Sequence, residues 1–437
     1  MDLHLKGSGR GVRITGLPPQ ALIDAPIHLR LHGLAPQQQV TVRARMQDDA
    51  QRWWESFASF VADARGEVDL TTQRPLAGSY DDVDPMGLFW SMSPNPGEER
   101  SVFAKVGVAP TTMTFTVEVE DVVVASATHV RVLVGSGVRV EPVRAEGLAG
   151  VLFLPPGPGP HPGILVVGGS GGGLRGSEQL TAVLASHGYA ALALAYFAYE
   201  HLPAALIDIP LEYFETAMRW LQQQEAVMDD RLAVVGTSRG GELALLLGAT
   251  FPRLTAVVAY VPSGVIWGGF GTEVPDVEPA AWTYGGARLP FVPDTTNTRE
   301  ALRASSAEEA IAFTPTFLAN LENTTAVAAA TIPVERTSGP LLLISGQDDQ
   351  MWPSATMAER VVRRLKEHAF PFTYRHLSYA GAGHVFGLPY LPATVTEIRH
   401  PIAGQVCALG GNARETAAAR RDAWEQMLAF LRESLGQ

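Results

Sequence analysis

Apolar and polar residues alternate along the first part of the chain, between Pro26 and about Val134. The alternation is clearest at residues 28–32, 40–46 and 113–119. A period of two, with turn residues between the runs, is typical of half-buried antiparallel strands. About seven such runs in roughly 110 residues predict an all-β sandwich of immunoglobulin-like size.

From Gly163 onward the pattern changes to continuous apolar runs that alternate with helical stretches. The predicted strands are 164–167, 190–195, 232–235, 256–261, 341–345 and 372–377, preceded by a strand pair at 138–143 and 150–154. The clearest predicted helices are 178–186, 211–224 and 357–367. Strands buried on both faces with helices between them predict a doubly wound, mostly parallel sheet.

This change of pattern divides the chain into two predicted domains. Residues 1–136 form the sandwich and residues 137–437 the α/β domain, with the glycines of 135–137 at the seam. Within the second domain, residues 262–340 are rich in Gly, Pro, Trp and Ala, with a weaker helical pattern at 307–321. We expect this segment to form a cap or to line the pocket; the alternative is a structural insertion remote from the site.

Composition excludes several classes of partner. The 437 residues carry a formal net charge of −12, which makes nucleic acid and anionic membranes poor partners. The N-terminus has no apolar signal core and no run of about 18 apolar residues occurs, so we expect a cytoplasmic protein without membrane insertion. The one cysteine, Cys407, allows no internal disulfide and is expected to be a buried filler.

The sequence Gly236-Thr237-Ser238-Arg239-Gly240 joins an apolar strand directly to a helical pattern. This is the nucleophile elbow of an α/β-hydrolase, in which a strained strand-to-helix turn exposes the serine hydroxyl. The same G-x-S-x-G pattern occurs around Ser170, but more glycines follow it before a helix begins. We therefore predict Ser238 as the nucleophile and the loop around Ser170 as part of an oxyanion hole.

A serine nucleophile needs a base, and the base needs a carboxylate that orients it. In this fold the acid follows a late strand and the histidine follows the last strand. Asp348 and Asp349 both follow the strand 341–345, and we favour Asp349 because it is better placed to fold back towards a histidine. His384, on the loop after the strand 372–377, is the predicted base.

The oxyanion hole requires two N–H donors. Arg239 supplies the first, and Ser170 or Gly171 is expected to supply the second. Three further loop residues are predicted to contact substrate, namely Gly169, Gly172 and Arg175. No zinc signature, Walker loop or dinucleotide fingerprint is present, so we expect no metal and no redox cofactor.

Together these features resemble the family of acyl-CoA thioesterases and bile acid-CoA:amino acid N-acyltransferases. The resemblance covers nearly the whole chain. It rests on a series of short sequence segments that occur in the same order as in the family. The segments include Asp84-Pro85-Met86-Gly87-Leu88-Phe89-Trp90, Gly171-Gly172-Gly173-Leu174, Leu194-Ala195-Tyr196-Phe197, Gly236-Thr237-Ser238-Arg239-Gly240-Gly241-Glu242, Gly346-Gln347-Asp348-Asp349 and Gly383-His384. The segment 268–331 departs from the family pattern, so the resemblance does not predict which acyl group this chain prefers.

The resemblance implies an immunoglobulin-like domain joined to an α/β-hydrolase, a triad of Ser238, Asp349 and His384, and an acyl thioester substrate carried by coenzyme A or a carrier protein. Family enzymes that form amides carry cysteine at the nucleophile, whereas the thioesterases carry serine, as here. Hydrolysis is therefore the main hypothesis. The alternatives are acyl transfer to an amine or alcohol, an ester or lactone hydrolase resembling dienelactone hydrolases, and a non-catalytic binding protein.

Overall fold

The alternating runs of the first part of the chain form two sheets in a computed structural model of the protein. The structure describes residues 11–97, 102–271, 278–296 and 309–436. The strands of this part are β1 Arg13–Thr15, β2 Gln20–Leu22, β3 Arg30–His32, β4 Gln39–Gln47, β5 Trp53–Val61, β6 Val68–Asp69, β7 Ala77–Gly78, β8 Ser93–Pro94, β9 Thr111–Val119 and β10 Val122–Val132, with the short helix α1 Gly87–Trp90.

The smaller sheet has the order β1-β3-β6, and the larger has the order β2-β10-β9-β4-β5-β7 with β8 beside β5. Alternate residues of both sheets meet in one core, which includes Leu31 and Val68 from the small sheet and Val42 and Phe115 from the large one. The period-two pattern thus places one face of each sheet against the other. Several strands are too short to be visible as alternating runs, so this part contains more strands than the seven predicted.

The second part of the chain is organised around one larger sheet. Its strands are β11 Arg139–Val143, β12 Ala149–Leu154, β13 His161–Val167, β14 Ala190–Ala195, β16 Val227–Thr237, β17 Ala256–Tyr260, β20 Leu341–Gly346 and β21 Tyr374–Tyr379. Shorter strands are β15 Ile209–Pro210, β18 Trp282–Tyr284, β19 Ala287–Arg288, β22 Glu397–Arg399 and β23 Val406–Ala408. The helices are α2 Ser177–Ser186, α3 Leu211–Gln222, α4 Arg239–Thr250, α5 Thr314–Asn320, α6 Thr324–Ala330, α7 Ser354–Glu367 and α8 Ala413–Leu435.

The order of the large sheet is β11-β12-β14-β13-β16-β17-β20-β21. Every pair from β14 to β21 is parallel, whereas β11 and β12 are antiparallel to their neighbours. Successive strand residues enter two different cores, as Leu165 and Val166 do. Helices α3, α4 and α7 cover one face, and α2 and α8 cover the other. This is the α/β-hydrolase arrangement that the continuous apolar strands predict.

Several predicted elements have different bounds in the structure. The strand predicted at 372–377 is β21, which begins two residues later, and Phe370 and Phe372 pack against each other in the preceding loop with ring centroids 5.5 Å apart. The helical pattern predicted at 307–321 yields a helix only from Thr314, where Pro315 occupies the first turn. Residues 307 and 308 of that prediction lie outside the described residues.

Polar contacts connect the two parts of the chain. Asp24, in the loop after β2, accepts hydrogen bonds from the indole of Trp424 at 3.0 Å and from the ring of His187. The backbone N–H of Gly135 donates to Ser186 Oγ at 2.8 Å. These contacts hold the N-terminal sheets against α2 and α8. In the parts of the chain that the structure describes, we find no helix with the length and apolarity required to cross a membrane.

Candidate active site

Ser238 lies at the turn between β16 and α4, in a backbone conformation that non-glycine residues rarely adopt. Its φ is 60° and its ψ −121°, and its N–H donates to the carbonyl of Tyr260 at 2.9 Å. A side chain at Gly236 would place Cβ 1.9 Å from the carbonyl oxygen of Gly240, and one at Gly240 would lie 2.4 Å from that of Gly168. The flanking glycines are therefore required by close backbone approach. The strained turn and the helix N-terminus are the features of a nucleophile elbow.

The structure brings together the three residues predicted from their order in the chain. Ser238 Oγ lies 3.0 Å from His384 Nε2, and His384 Nδ1 lies 3.0 and 2.9 Å from the two carboxylate oxygens of Asp349. Because an ionised carboxylate only accepts, Nδ1 carries the hydrogen and Nε2 accepts the hydrogen bond of the serine hydroxyl. This is the protonation state that a general base requires.

The two candidate acids occupy different surroundings. Asp349 is buried, and its Oδ1 also accepts hydrogen bonds from the backbone N–H groups of Met351 and Trp352 at 3.0 and 3.2 Å. Asp348 instead accepts from the N–H of Gly411 at 2.9 Å. The carboxylate of Asp349 therefore faces His384, while that of Asp348 supports a neighbouring turn.

The glycine loop after β13 passes directly beside Ser238. A Cβ added to Gly169 would lie 3.1 Å from Ser238 Cβ, so the loop backbone at Gly169 packs directly against the serine. Among the described residues, the N–H groups of Gly169, Ser170 and Gly171 have no protein acceptor, and the first N–H of α4, that of Arg239, has none within the helix. These groups are available as donors on one side of the serine.

The other predicted loop residues lie farther from the serine. Gly172 has φ 65° and packs against Phe197 and Ala198, and Arg175 has an exposed side chain near Gly171. Neither residue lines the cavity described below, whereas Ser170 does. Their contact with substrate, and the oxyanion roles of Arg239, Ser170 and Gly171, stay predictions.

The side chains of Arg239 and Glu242 form a buried ion pair beneath the elbow, with Arg239 Nη1 and Glu242 Oε2 3.2 Å apart. Arg239 also donates to the carbonyls of Trp267 and Gly268 at 3.0 and 3.1 Å. Glu242 accepts from Trp282 Nε1 at 2.8 Å. The pair thus anchors the segment that follows β17 to helix α4. We did not predict this role, although two charges three residues apart in an otherwise apolar buried helix are a visible signal.

Burial raises the pKa of Glu242 to about 7, an effect that outweighs the opposing attraction of Arg239. A carboxyl with a higher pKa in the folded chain favours folding below its unfolded pKa of 4.5 and loses that contribution as the pH rises through about 7. We expect this loss to amount to about 3 kcal/mol in the free energy of unfolding. Denaturant unfolding of the wild type and of Glu242→Gln between pH 4.5 and 8 gives the free energy of unfolding of each protein at each pH. We expect this free energy to fall more steeply with pH in the wild type than in the variant. The same pH dependence in both proteins would contradict the raised pKa of Glu242.

A cavity of about 390 Å³ opens above Ser238. Its wall is largely aromatic and aliphatic, and much of it comes from the segment 262–340. The apolar lining residues are Trp267, Phe270, Val292, Phe313, Phe317, Met351 and Trp352. An apolar volume with a few polar groups beside Ser238 is suited to an apolar ligand.

Two cavity residues outside the predicted set have clear physical environments. Cys407 is buried at the cavity wall, and burial raises the pKa of its thiol to about 11, so it stays protonated near neutral pH. His400 is buried and donates from Nε2 to Ser170 Oγ at 2.9 Å. Its position in the sequence, on a short hairpin after the last large strand, gives no signal of this contact. Within the described ranges, no cluster of three His, Cys, Asp or Glu side chains is placed to hold a metal ion.

Comparison with known proteins identifies relatives over the whole length. Residues 209–437 match the model described as BAAT / acyl-CoA thioester hydrolase C terminal, and residues 24–145 match the acyl-CoA thioester hydrolase/BAAT N-terminal region. The chain is 34% identical to human acyl-coenzyme A thioesterase 1, with 94% of each chain covered. It is 32% identical to mouse acyl-coenzyme A amino acid N-acyltransferase 2, with 98% of each covered.

Similarity to solved structures is weaker. A puromycin-hydrolyzing peptidase of Mycobacterium tuberculosis aligns with a TM-score of 0.44 and 14% identity, covering 90% of this chain and 53% of that chain. The family of this chain is therefore assigned from the sequence relatives and from the two family models, one of which alone spans more than half of the chain. The chain belongs to the family of acyl-CoA thioester hydrolases and bile acid-CoA:amino acid N-acyltransferases.

Proposed function

We propose that this enzyme hydrolyses acyl thioesters through an acyl-serine intermediate, with Ser238 as nucleophile, His384 as base and Asp349 as the carboxylate that orients it. The observation that carries the proposal is the hydrogen-bonded chain from Ser238 Oγ through His384 to Asp349 at the base of an apolar cavity. The names of the relatives, thioesterases and N-acyltransferases acting on acyl-coenzyme A, support a thioester as the substrate.

The first half of the reaction transfers the acyl group to the serine. Ser238 Oγ attacks the thioester carbonyl while its proton moves to His384 Nε2. The N–H groups of Arg239 and of the glycine loop stabilise the negative charge on the carbonyl oxygen. When the intermediate collapses, the carbon–sulfur bond breaks and the proton passes from Nε2 to the departing thiolate.

The second half releases the acid. Water donates a proton to His384 Nε2 as its oxygen attacks the acyl-serine ester, and the same proton returns to Ser238 Oγ when that ester bond breaks. Because thiolates are good leaving groups, hydrolysis of the oxygen ester is the slower half-reaction. Asp349 accepts the hydrogen bond of His384 Nδ1 throughout and stabilises the imidazolium that forms twice.

Acyl-coenzyme A is the proposed form of the substrate, and a carrier-bound acyl group is the alternative. The aromatic cavity wall supports recognition of an apolar acyl chain, and exposed Arg175 beside the glycine loop is the proposed contact for coenzyme A phosphates. Acyl transfer to an amine is the second candidate function, which the N-acyltransferase relatives favour. An acyl-serine is less reactive towards amines than an acyl-cysteine, so we place hydrolysis first.

The test is to incubate the purified protein with acyl-CoA thioesters of graded chain length, with and without glycine or taurine. We expect release of free thiol, with free acid as the acyl product and a clear length preference. Amide in the presence of glycine or taurine would make the protein a transferase. Absence of thiol release, with turnover of matched simple esters or lactones, would contradict the thioester proposal.

Ser238→Cys provides a matched variant for the choice of acceptor. It keeps a nucleophile at the same position but changes the intermediate from an oxygen ester to a thioester. We expect the ratio of amide to acid formed with glycine to rise in this variant. An unchanged ratio would mean that access of the amine to the cavity, and not the nucleophile, determines the product.

We further propose that the N-terminal part of the chain is an immunoglobulin-like domain. Two facing sheets with a common core support an immunoglobulin-like sandwich in residues 1–136, and the turn between β10 and β11 supports a boundary there. The proposed location is the cytoplasm. The names of the relatives also include a mitochondrial thioesterase.

A further inference from the structure

A second serine–histidine pair, Ser170 and His400, lines the same cavity as Ser238. Ser170 belongs to the glycine loop after β13, and His400 follows β22 at the start of the turn that leads to β23. Their side chains meet at 2.9 Å between Ser170 Oγ and His400 Nε2. The chemistry available to this pair depends on which of the two atoms carries the shared hydrogen.

The turn that holds His400 determines the position of its hydrogen. The backbone N–H groups of Ile402 and Ala403 both donate to His400 Nδ1, each at 3.2 Å. Nδ1 is therefore an acceptor, and the ring hydrogen lies on Nε2. Burial lowers the pKa of His400 to about 4, so the ring is neutral near neutral pH.

The hydrogen on Nε2 has two consequences for Ser170. His400 cannot accept the hydroxyl proton of Ser170, which excludes this pair as a second nucleophile and base. The Ser170 oxygen accepts the histidine hydrogen bond, so the hydroxyl hydrogen must be donated to another group. Among the described residues no protein acceptor for it is found, and the side chain faces the cavity.

We propose that the Ser170 hydroxyl, oriented by His400, donates a hydrogen bond to the acyl carbonyl oxygen as negative charge develops on it. This inference rests on the proposed function and adds a side-chain donor to the backbone donors described above. Its position supports the assignment, because Ser170 lines the same cavity as Ser238 and the preceding residue, Gly169, packs directly against Ser238. No proton is transferred in this step. His400 acts only through Ser170 and is a positioning residue.

The test compares Ser170→Ala with His400→Asn. Alanine removes the donor, whereas asparagine retains an oxygen near the position of Nδ1, which can still accept from Ile402 and Ala403, and lacks the donor to Ser170. We expect each variant to lower kcat by about 100-fold with little change in KM, because one oxyanion donor acts mainly in the transition state. The double variant should be no slower than Ser170→Ala, since His400 acts only through the Ser170 hydroxyl. Ser170→Thr, which keeps a hydroxyl, should restore most of the rate.

A kcat for Ser170→Ala within about twofold of the wild type would overturn the inference. So would a His400→Asn enzyme that loses thermal stability while its kcat is unchanged, because that result would give His400 a purely structural role.

The rate at which a fluorophosphonate labels Ser238 separates this inference from the proposed function, since the phosphoryl oxygen also needs the oxyanion donors. Slower labelling of Ser170→Ala than of the wild type would support the inference even if no acyl-CoA were hydrolysed. Equal labelling rates would overturn it.

Discussion

Ser238→Ala is expected to lower kcat for thioester hydrolysis by about 10⁶-fold, the size of effect seen when a serine nucleophile is removed from a triad. The hydroxyl that forms the acyl intermediate would be absent, while His384 and Asp349 would keep their hydrogen bond. Thiol release measured at saturating acyl-CoA gives the change in kcat directly. Because the substitution removes only the hydroxyl oxygen of Ser238, the free energy of unfolding should be almost unaltered.

The control for this variant is substrate binding. Ser238→Ala should still bind acyl-CoA, with a Kd at or above the wild-type KM, because slow hydrolysis of the acyl-serine lowers KM below Kd. A fluorophosphonate should label the wild type and fail to label the variant. Full thioesterase activity in Ser238→Ala would refute the mechanism, and loss of that activity in Ser170→Ala instead would move the nucleophile to the second G-x-S-x-G copy.

The second large effect is expected for Asp349→Asn, which should lower kcat by about 10⁴-fold. The asparagine amide would donate to His384 Nδ1 and leave the hydrogen on Nε2, so the imidazole could no longer accept the proton of Ser238. The loss arises because the carboxylate selects the tautomer of the histidine, and an amide selects the opposite one. Activity measured between pH 6 and 9 gives the size of the loss.

Asp348→Asn is the matched control, because it makes the same chemical change one residue away. Its carbonyl oxygen can still accept the hydrogen bond of Gly411, which lies 2.9 Å from the present carboxylate. We expect kcat within about twofold of the wild type. A larger loss in Asp348→Asn than in Asp349→Asn would reverse the assignment of the acid and with it the proposed geometry.

Local patterns were sufficient to predict the residues around the elbow. Glycines 236 and 240 are required by contacts between neighbouring elements, and the serine between them follows from the strand-to-helix turn. Asp349 and His384 could be predicted because the fold brings the ends of parallel strands to one edge of the sheet. The choice of Asp349 over Asp348 depended on side-chain direction, which the structure resolves through the contacts of each carboxylate.

The sequence by itself determined the mostly parallel sheet and the family, because periodicity and motif order are properties of the linear chain. Only the tertiary structure revealed that Glu242 anchors the cavity wall through Trp282 and that His400 contacts Ser170. These pairs are separated by 40 and 230 positions in the chain. Contacts over such distances arise from the packing of elements against one another, and no local spacing of residues encodes them.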